Sequence, residues 1–172
     1  MADAFIVRRG GSGSGSGSGS TDASILYQNG NQNTAVTGGW AAYADPRARA
    51  MDLDGTGFNS VKPGLTDDGS LKITISGNAA TGTVRTVNKV DLTKYDTLTI
   101  AGTIGLTHPY TVLYLTQSVT SSDYYMNAPH VVAIDSNGGA SISLDGVTGS
   151  WYVCIGIYVS SASYTVSSVL LS

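Results

Sequence analysis

The stretch that decides the fold is Trp151-Tyr-Val-Cys-Ile-Gly-Ile-Tyr-Val159. Trp151, Val153, Ile155, Ile157 and Val159 share one parity, with Tyr152, Cys154, Gly156 and Tyr158 between them. A period of two belongs to a strand, whose side chains alternate between two faces; a helix repeats about every 3.6 residues. The same period runs outward from this stretch. Leu71, Ile73 and Ile75 alternate with Lys72, Thr74 and Ser76, and Leu98 and Ile100 with Thr97 and Thr99. Over residues 110–116, Leu113 and Leu115 point one way and Tyr110, Val112 and Tyr114 the other. Further strands are expected at 25–28, 83–87, 131–134, 140–144 and 164–171. In the last of these the parity slips at Ser167-Ser168, which predicts a bulge.

Turn chemistry separates these runs. Asp135-Ser-Asn-Gly-Gly139 carries the Asn-Gly signal of a tight hairpin. Asn29-Gly30, Asp68-Gly69 and Asp145-Gly146 punctuate other strand ends. Helix is expected only at 45–51, where Asp45 would cap a turn or two begun by Pro46. About nine short strands without helical crossovers predict an all-β protein, an antiparallel β-sandwich wired as a jelly roll. A closed barrel is the alternative.

Composition narrows the class. The 172 residues include 22 Gly and 10 Tyr, and all 12 acidic residues are Asp. Charged residues make up 12% of the chain, against about a quarter in ordinary soluble domains. Without Glu, and with so much Gly, helical bundles and coiled coils are excluded. A net charge of −3 with 41% hydrophobic residues excludes an acidic disordered tail and supports a packed core. Nine dispersed Lys and Arg form no patch for nucleic acid. No apolar run reaches the ~18 residues of a membrane span, and the first residues do not have the order of a secretory signal. Three parts are expected: a leader at 1–9, a Gly/Ser linker at 10–20 and a folded domain over 21–172. The linker spans about 18 Å as a random coil.

Candidate chemistry is sparse. Cys154, the one cysteine, sits mid-strand with no adjacent cation to lower its pKa, and reads as a small core residue. His108 and His130 both lie beside prolines and pair with no recognisable nucleophile. The lack of Glu removes the EF-hand, and no Asp stands in a catalytic strand-end motif, so no enzyme is expected. No cofactor is expected beyond a candidate structural calcium at Asp52, Asp54, Asp67 and Asp68, residues that serve equally as ordinary Asp-Gly turns. The aromatic inventory points further. Ten Tyr and two Trp against two Phe give most rings a polar handle, suited to surfaces both apolar and wet. Trp40 and Tyr43, read as a loop, and Tyr124, Tyr125 and Asn127 are therefore candidate glycan contacts. Trp40 could instead plug one end of the sandwich.

Two kinds of segment carry a resemblance. The leader Ala2-Asp-Ala-Phe-Ile-Val-Arg-Arg-Gly-Gly11 resembles the N-terminus of tail and fibre proteins encoded by phages and prophages of Gram-positive bacteria. Val87-Asn-Lys-Val-Asp-Leu-Thr-Lys-Tyr-Asp-Thr-Leu-Thr-Ile100 and Val147-Thr-Gly-Ser-Trp-Tyr-Val-Cys-Ile-Gly-Ile-Tyr158 resemble the sandwich modules appended to such proteins. Trp151 and Cys154 depart from that pattern at two strand positions. The resemblance covers the leader and roughly the last half of the domain.

It implies a non-enzymatic virion protein, a fibre, adhesin or decoration, exposed on the particle and assembled in the bacterial cytoplasm without a signal peptide. Phe5, Ile6, Val7, Arg8 and Arg9 would dock onto virion proteins by adding a strand to an exposed edge. The head would contact cell-surface polysaccharide, and the whole would assemble as a homo-trimer. Two other readings stand beside it: a carbohydrate-binding module of a secreted glycan-active enzyme, and a purely structural spacer.

Overall fold

Alternation at 151–157 becomes β12 (Ser150–Ile157), the middle strand of one sheet of a two-layer sandwich. A computed structural model of the chain describes residues 22–43, 60–65, 71–76, 82–105, 111–118, 128–157 and 163–172. The leader, the linker and the helical turn expected at 45–51 lie outside the described residues. In chain order the strands are β1 (Ile25–Gln28), β2 (Asn31–Gln32), β3 (Trp40–Tyr43), β4 (Ser60–Leu65), β5 (Leu71–Ser76), β6 (Gly82–Thr86) and β7 (Val90–Asp91). Then follow β8 (Thr97–Ile104), β9 (Val112–Thr116), β10 (His130–Ala133), β11 (Ala140–Ser143), β12 and β13 (Ser163–Leu171). Among the described residues one helical turn, α1 (Thr34–Thr37), interrupts them, closed by a left-handed Gly38 whose N–H donates to the Thr34 carbonyl.

Among the described residues every strand pairing is antiparallel. One sheet runs β11-β8-β13-β1-β2, with β5 also on β13 and β4 on β5. The other runs β10-β9-β12-β6-β3, with β7 on β12. The protein is thus an all-β antiparallel sandwich. Its core lies between the sheets. Val153, Ile155 and Ile157 of β12, Leu113 and Leu115 of β9 and Val84 of β6 meet Leu98 and Ile100 of β8, Leu71 and Ile73 of β5 and the inward side chains of β13. Burying each such side chain fully stabilises the fold by about 1.5–3 kcal/mol.

The bulge expected near Ser167-Ser168 is present. Along β8, Gly102 faces Val166 and Ala101 faces Ser168, leaving Ser167 without an opposite residue. The physical need is visible in the core. Tyr164 and Val166 point inward, and so do Val169 and Leu171, which have the opposite parity. One extra residue is what lets both pairs face the same way. The bulge also marks a change of neighbour. On the edge of β13 away from β8, residues 163–166 pair with β5 and 168–170 with β1. The Ser167 carbonyl accepts a 2.9 Å hydrogen bond from the Asn29 N–H at the turn out of β1.

Three expectations are corrected. Asp135-Gly139 does not close a hairpin: β10 pairs with β9 and β11 with β8, so the turn carries the chain from one sheet to the other. The Asp135 carboxylate organises it, accepting from the N–H groups of Asn137 and Gly139 at 2.8 and 3.0 Å. Trp40–Tyr43 is not a loop but β3, paired with β6 at the sheet edge. Its Gly-Gly-Trp-Ala-Ala sequence has weak strand propensity, which pairing overrides. Finally, thirteen strands rather than about nine occur among the described residues. Among the additions, β4 contains Pro63 and Gly64 and pairs only with β5, an edge position where proline removes no needed donor.

Backbone fits closely where the corner meets the sheet. Gly138 has φ +78°, and a Cβ there would collide with the Gly102 carbonyl; a Cβ at Gly102 would collide with that of Thr165. The buried Tyr164 hydroxyl donates to the Gly138 carbonyl at 2.7 Å and locks this contact. Burial, with Asp135 nearby, raises the phenol above its ordinary value of 10.0. The neutral form is therefore the one the fold favours. Its contribution is intact below pH 10 and erodes as the pH climbs beyond it.

Tyr164→Phe should destabilise the domain by about 1–3 kcal/mol, because it orphans a buried carbonyl. It should also weaken the loss of stability above pH 10, read from urea titrations at pH 8 and pH 10.5. Gly102→Ala should cost more, on the order of 3 kcal/mol, since backbone must move to admit the methyl.

Candidate functional site

Strands β9 and β12 bury side chains on both faces. Their inner face belongs to the main core; on the other, Val112, Tyr114 and Cys154 form a second small cluster with Ala128 and Tyr152 against it. Gly156 makes room there. A Cβ at that position would stand 3.2 Å from Val112 Cγ2 and 3.4 Å from the Tyr114 ring. The Tyr114 side chain passes across β12 and donates its hydroxyl to Thr83 Oγ1 on β6 at 3.1 Å. Three neighbouring strands are so tied together on this outer face.

Further along the same face the chemistry turns cationic. Arg85 on β6 directly faces Cys154 on β12, and its guanidinium lies over the Tyr152 ring, 4.6 Å from the centroid. Lys89, in the short connection to β7, brings its Nζ to 5.6 Å from the same centroid. Arg85 is held in place: Nη1 donates to the Thr86 carbonyl at 2.8 Å and to that of Val87 at 3.3 Å. Val87 itself is 43% exposed, a large value for an aliphatic side chain beside charged ones. Arg85, Lys89 and Tyr152 thus form a partly exposed corner of one aromatic ring and two cations. Such an arrangement can hold a polar ligand against a fixed ring and attract negative charge.

A second aromatic pair stands on the inner side of the same sheet end. His130 meets Trp151 edge-to-face at 5.4 Å, and the Trp151 indole N–H donates to the Thr148 carbonyl at 2.9 Å. Between α1 and β7, Ala23, Val36, Val90, Asp91, Lys94 and Tyr95 line a shallow cleft of about 250 Å³.

Against this map the candidate residues sort unevenly. Trp40 packs half-buried against the main core, and its indole N–H is buried without a hydrogen-bond partner. Tyr43 pairs with Thr83 at the far end of β3 and stands at opposite parity from Trp40, so the two positions do not share a face. Tyr124, Tyr125 and Asn127 lie outside the described residues, between Ser118 and Ala128. Asp52, Asp54, Asp67 and Asp68 lie outside them too, as do Phe5, Ile6, Val7, Arg8, Arg9 and His108. Among the described residues, no three His, Cys, Asp or Glu side chains gather into a metal-binding group.

Sequence reasoning missed the Arg85–Lys89–Tyr152 corner. Arg85 and Lys89 are close in the chain, but Tyr152 reaches them only through the β6–β12 ladder. The one legible signal was parity: Tyr152 alternates with Trp151 and Val153, which places it on the outer face.

Cys154 is fully buried among these groups, with its thiol donating to the Tyr152 carbonyl across 3.8 Å. Burial pushes its pKa up to about 12, outweighing the Tyr114 hydrogen bond and the Arg85 charge, which both act to lower it. The thiol is a packing group.

The sequence matches no protein-family model and no curated protein.

Cys154 should resist a thiol reagent such as DTNB at pH 8 in the folded protein and react stoichiometrically in guanidinium. Because its folded pKa is raised, its stabilising contribution is complete below pH 9 and declines as the pH rises toward 12. Cys154→Ala should accordingly lose less stability than the parent between pH 8 and pH 10.5.

Proposed function

We propose that the chain is a non-enzymatic display protein of a bacteriophage particle, with a β-sandwich head that contacts host-surface glycan. The observation that carries the reading is how the chain enters and leaves the sandwich. First strand β1 lies alongside last strand β13, and the Leu171 N–H donates to the Ser24 carbonyl at 2.7 Å. The Asp96 and Thr97 N–H groups donate to the Ser172 carbonyl at 2.6 and 2.9 Å. A head whose two ends are pinned together can hang from a single point, which is what a Gly/Ser tether at 10–20 would provide. The leader resemblance supplies the anchor: Phe5, Ile6 and Val7 followed by Arg8 and Arg9 suit strand addition to a virion partner. Several copies on one particle would make weak individual contacts sufficient.

Strand order supports reading the sandwich as a jelly roll. In one sheet β13 lies between β5 and β8, with β11 outside β8; in the other β12 lies between β6 and β9, with β10 outside β9. The two sheets thus repeat one pattern with alternate strands. The same order favours, as a second reading, a carbohydrate-binding module of a secreted glycan-active enzyme. For either reading, the outer face around Tyr152 takes the place first assigned to Trp40 and Tyr43.

Two measurements test this. Deleting residues 1–9 should leave the head's thermal transition within a degree or two, yet abolish incorporation into particles; retained incorporation would remove the docking role. On immobilised bacterial polysaccharides the full chain should bind at least one, and Tyr152→Ala should weaken that binding several-fold. A chain that binds none would leave a spacer.

A further inference from the structure

The chain contains two Asn-Gly pairs, Asn29-Gly30 and Asn137-Gly138, and in both the glycine holds a positive φ within a turn. Asparagine is thermolabile, and most so before glycine. The glycine nitrogen attacks the Asn Cγ carbonyl and expels ammonia, and glycine, having no side chain, hinders that attack least. The attack requires the glycine nitrogen to lose its proton and the backbone to leave its resting turn. In a folded chain the rate therefore follows how readily that turn opens.

Asn137-Gly138 is held on every side. The Gly138 N–H donates to the Asp135 carbonyl at 3.0 Å, and the Gly138 carbonyl accepts from the Tyr164 hydroxyl at 2.7 Å. Gly138 is buried so closely against the Gly102 backbone that a Cβ would collide with it. The Asp135 carboxylate accepts from the N–H groups on either side, those of Asn137 and Gly139. A negative charge there opposes the amide anion that the attack needs. This turn also joins strands of different sheets, so opening it disturbs both.

Asn29-Gly30 is held loosely. It is the two-residue loop between β1 and β2, where Gln28 faces Asn31 and Tyr27 faces Gln32. Asn29 is exposed, and it is the one non-glycine residue with positive φ among the described residues, at +44°. That conformation is disfavoured for any residue with a Cβ. The Gly30 N–H donates to the Tyr27 hydroxyl at 3.2 Å. The Asn29 N–H bonds to the Ser167 carbonyl, which secures the entry to the turn rather than the attacking nitrogen. Strand β2 has two residues and ends its sheet, so few contacts are given up when the hairpin opens.

We infer that Asn29 is a site of spontaneous deamidation, with water as co-reactant, and that the fold protects Asn137 in the same sequence context. The Gly30 nitrogen gives its proton to solvent base and bonds to Asn29 Cγ. The bond from Cγ to the side-chain nitrogen breaks, that nitrogen takes up a proton and leaves as ammonia, and a succinimide ring remains. Water then opens the ring. Addition at Cγ gives aspartate, and addition at the main-chain carbonyl gives isoaspartate, whose backbone runs through Cβ and Cγ. Either product makes the chain one unit more negative than −3. Isoaspartate also lengthens the two-residue turn by one backbone carbon, which loosens the β1–β2 register and the contact with Ser167 at the bulge.

The test incubates the full chain at pH 8 in oxygen-18 water. Fragment-ion mass spectrometry of its peptides reads, at each asparagine, the exchange of NH for O and the uptake of heavy oxygen. Asn29 should convert at least about tenfold faster than Asn137 in the folded protein. In guanidinium the two rates should converge, because both pairs then lose turn and packing. On ion exchange an acidic form of the intact protein should accumulate, vanish in Asn29→Gln and persist in Asn137→Gln, since glutamine would need a larger ring. Far-UV circular dichroism establishes that the variants fold; if one does not, the two rates in the parent decide. Equal rates in the folded protein, a faster Asn137, or no conversion at Asn29 while the unfolded chain converts overturns the inference.

Discussion

Everything in the sandwich depends on β13 having different neighbours at its two ends. On one side it follows β8 throughout. On the other it accepts β5 over its first half and β1 over its second, and the surplus residue Ser167 stands at the changeover. Without that residue, either Tyr164 and Val166 or Val169 and Leu171 would turn to the surface, because a one-residue shift exchanges the faces of a strand. The core between the sheets is therefore set by a backbone irregularity as much as by apolar side chains. The neighbouring corner, where Gly138 meets Gly102 under the Tyr164 hydroxyl, fixes where the chain passes from one sheet to the other.

Much of this was legible in the sequence, for reasons that differ by element. The strands at 71–76, 97–104, 112–116 and 150–157 announce themselves because one face is apolar and the period is two. The parity slip at Ser167-Ser168 gave away the bulge, since only a register change reconciles inward Val166 with inward Val169. What sequence could not assign was partnership. Asp135-Ser-Asn-Gly-Gly139 has hairpin chemistry, and the tight turn does form, with the Asp135 N–H donating to the Gly139 carbonyl. Whether the two flanking strands then pair is a tertiary matter, and here each pairs in a different sheet. Similarly β3 has little local preference for extended structure and is made a strand by β6.

The candidate site was legible to a smaller degree, because surface chemistry on a sheet is assembled across ladders. Trp40 stands out in the sequence as a large aromatic near glycines; in the fold it pairs with Thr86 and packs half-buried against the core. Tyr152 does not stand out, because its neighbours Trp151 and Val153 define the strand. Its significance comes from Arg85, brought beside it by a β6–β12 register in which Arg85 faces Cys154 and Val84 faces Ile155. The buried thiol sits beneath these charges without joining their chemistry. Desolvation outweighs the cation at that depth, although half-buried Arg85 directly faces Cys154 across the ladder.

The pairing of β1 with β13 also bears on how the protein comes to be folded. Ile25 and Leu170 are partners, so β1 waits for the described strand that lies furthest from it in the chain. Non-local closure of this kind raises contact order and slows folding, and β5 waits on the same strand. Until β13 emerges, β1, β5 and β8 expose unpaired edges and the apolar faces of half a core. A ribosome-bound chain therefore cannot complete this head piece by piece. It closes only once β13, the last of these strands to be made, is available.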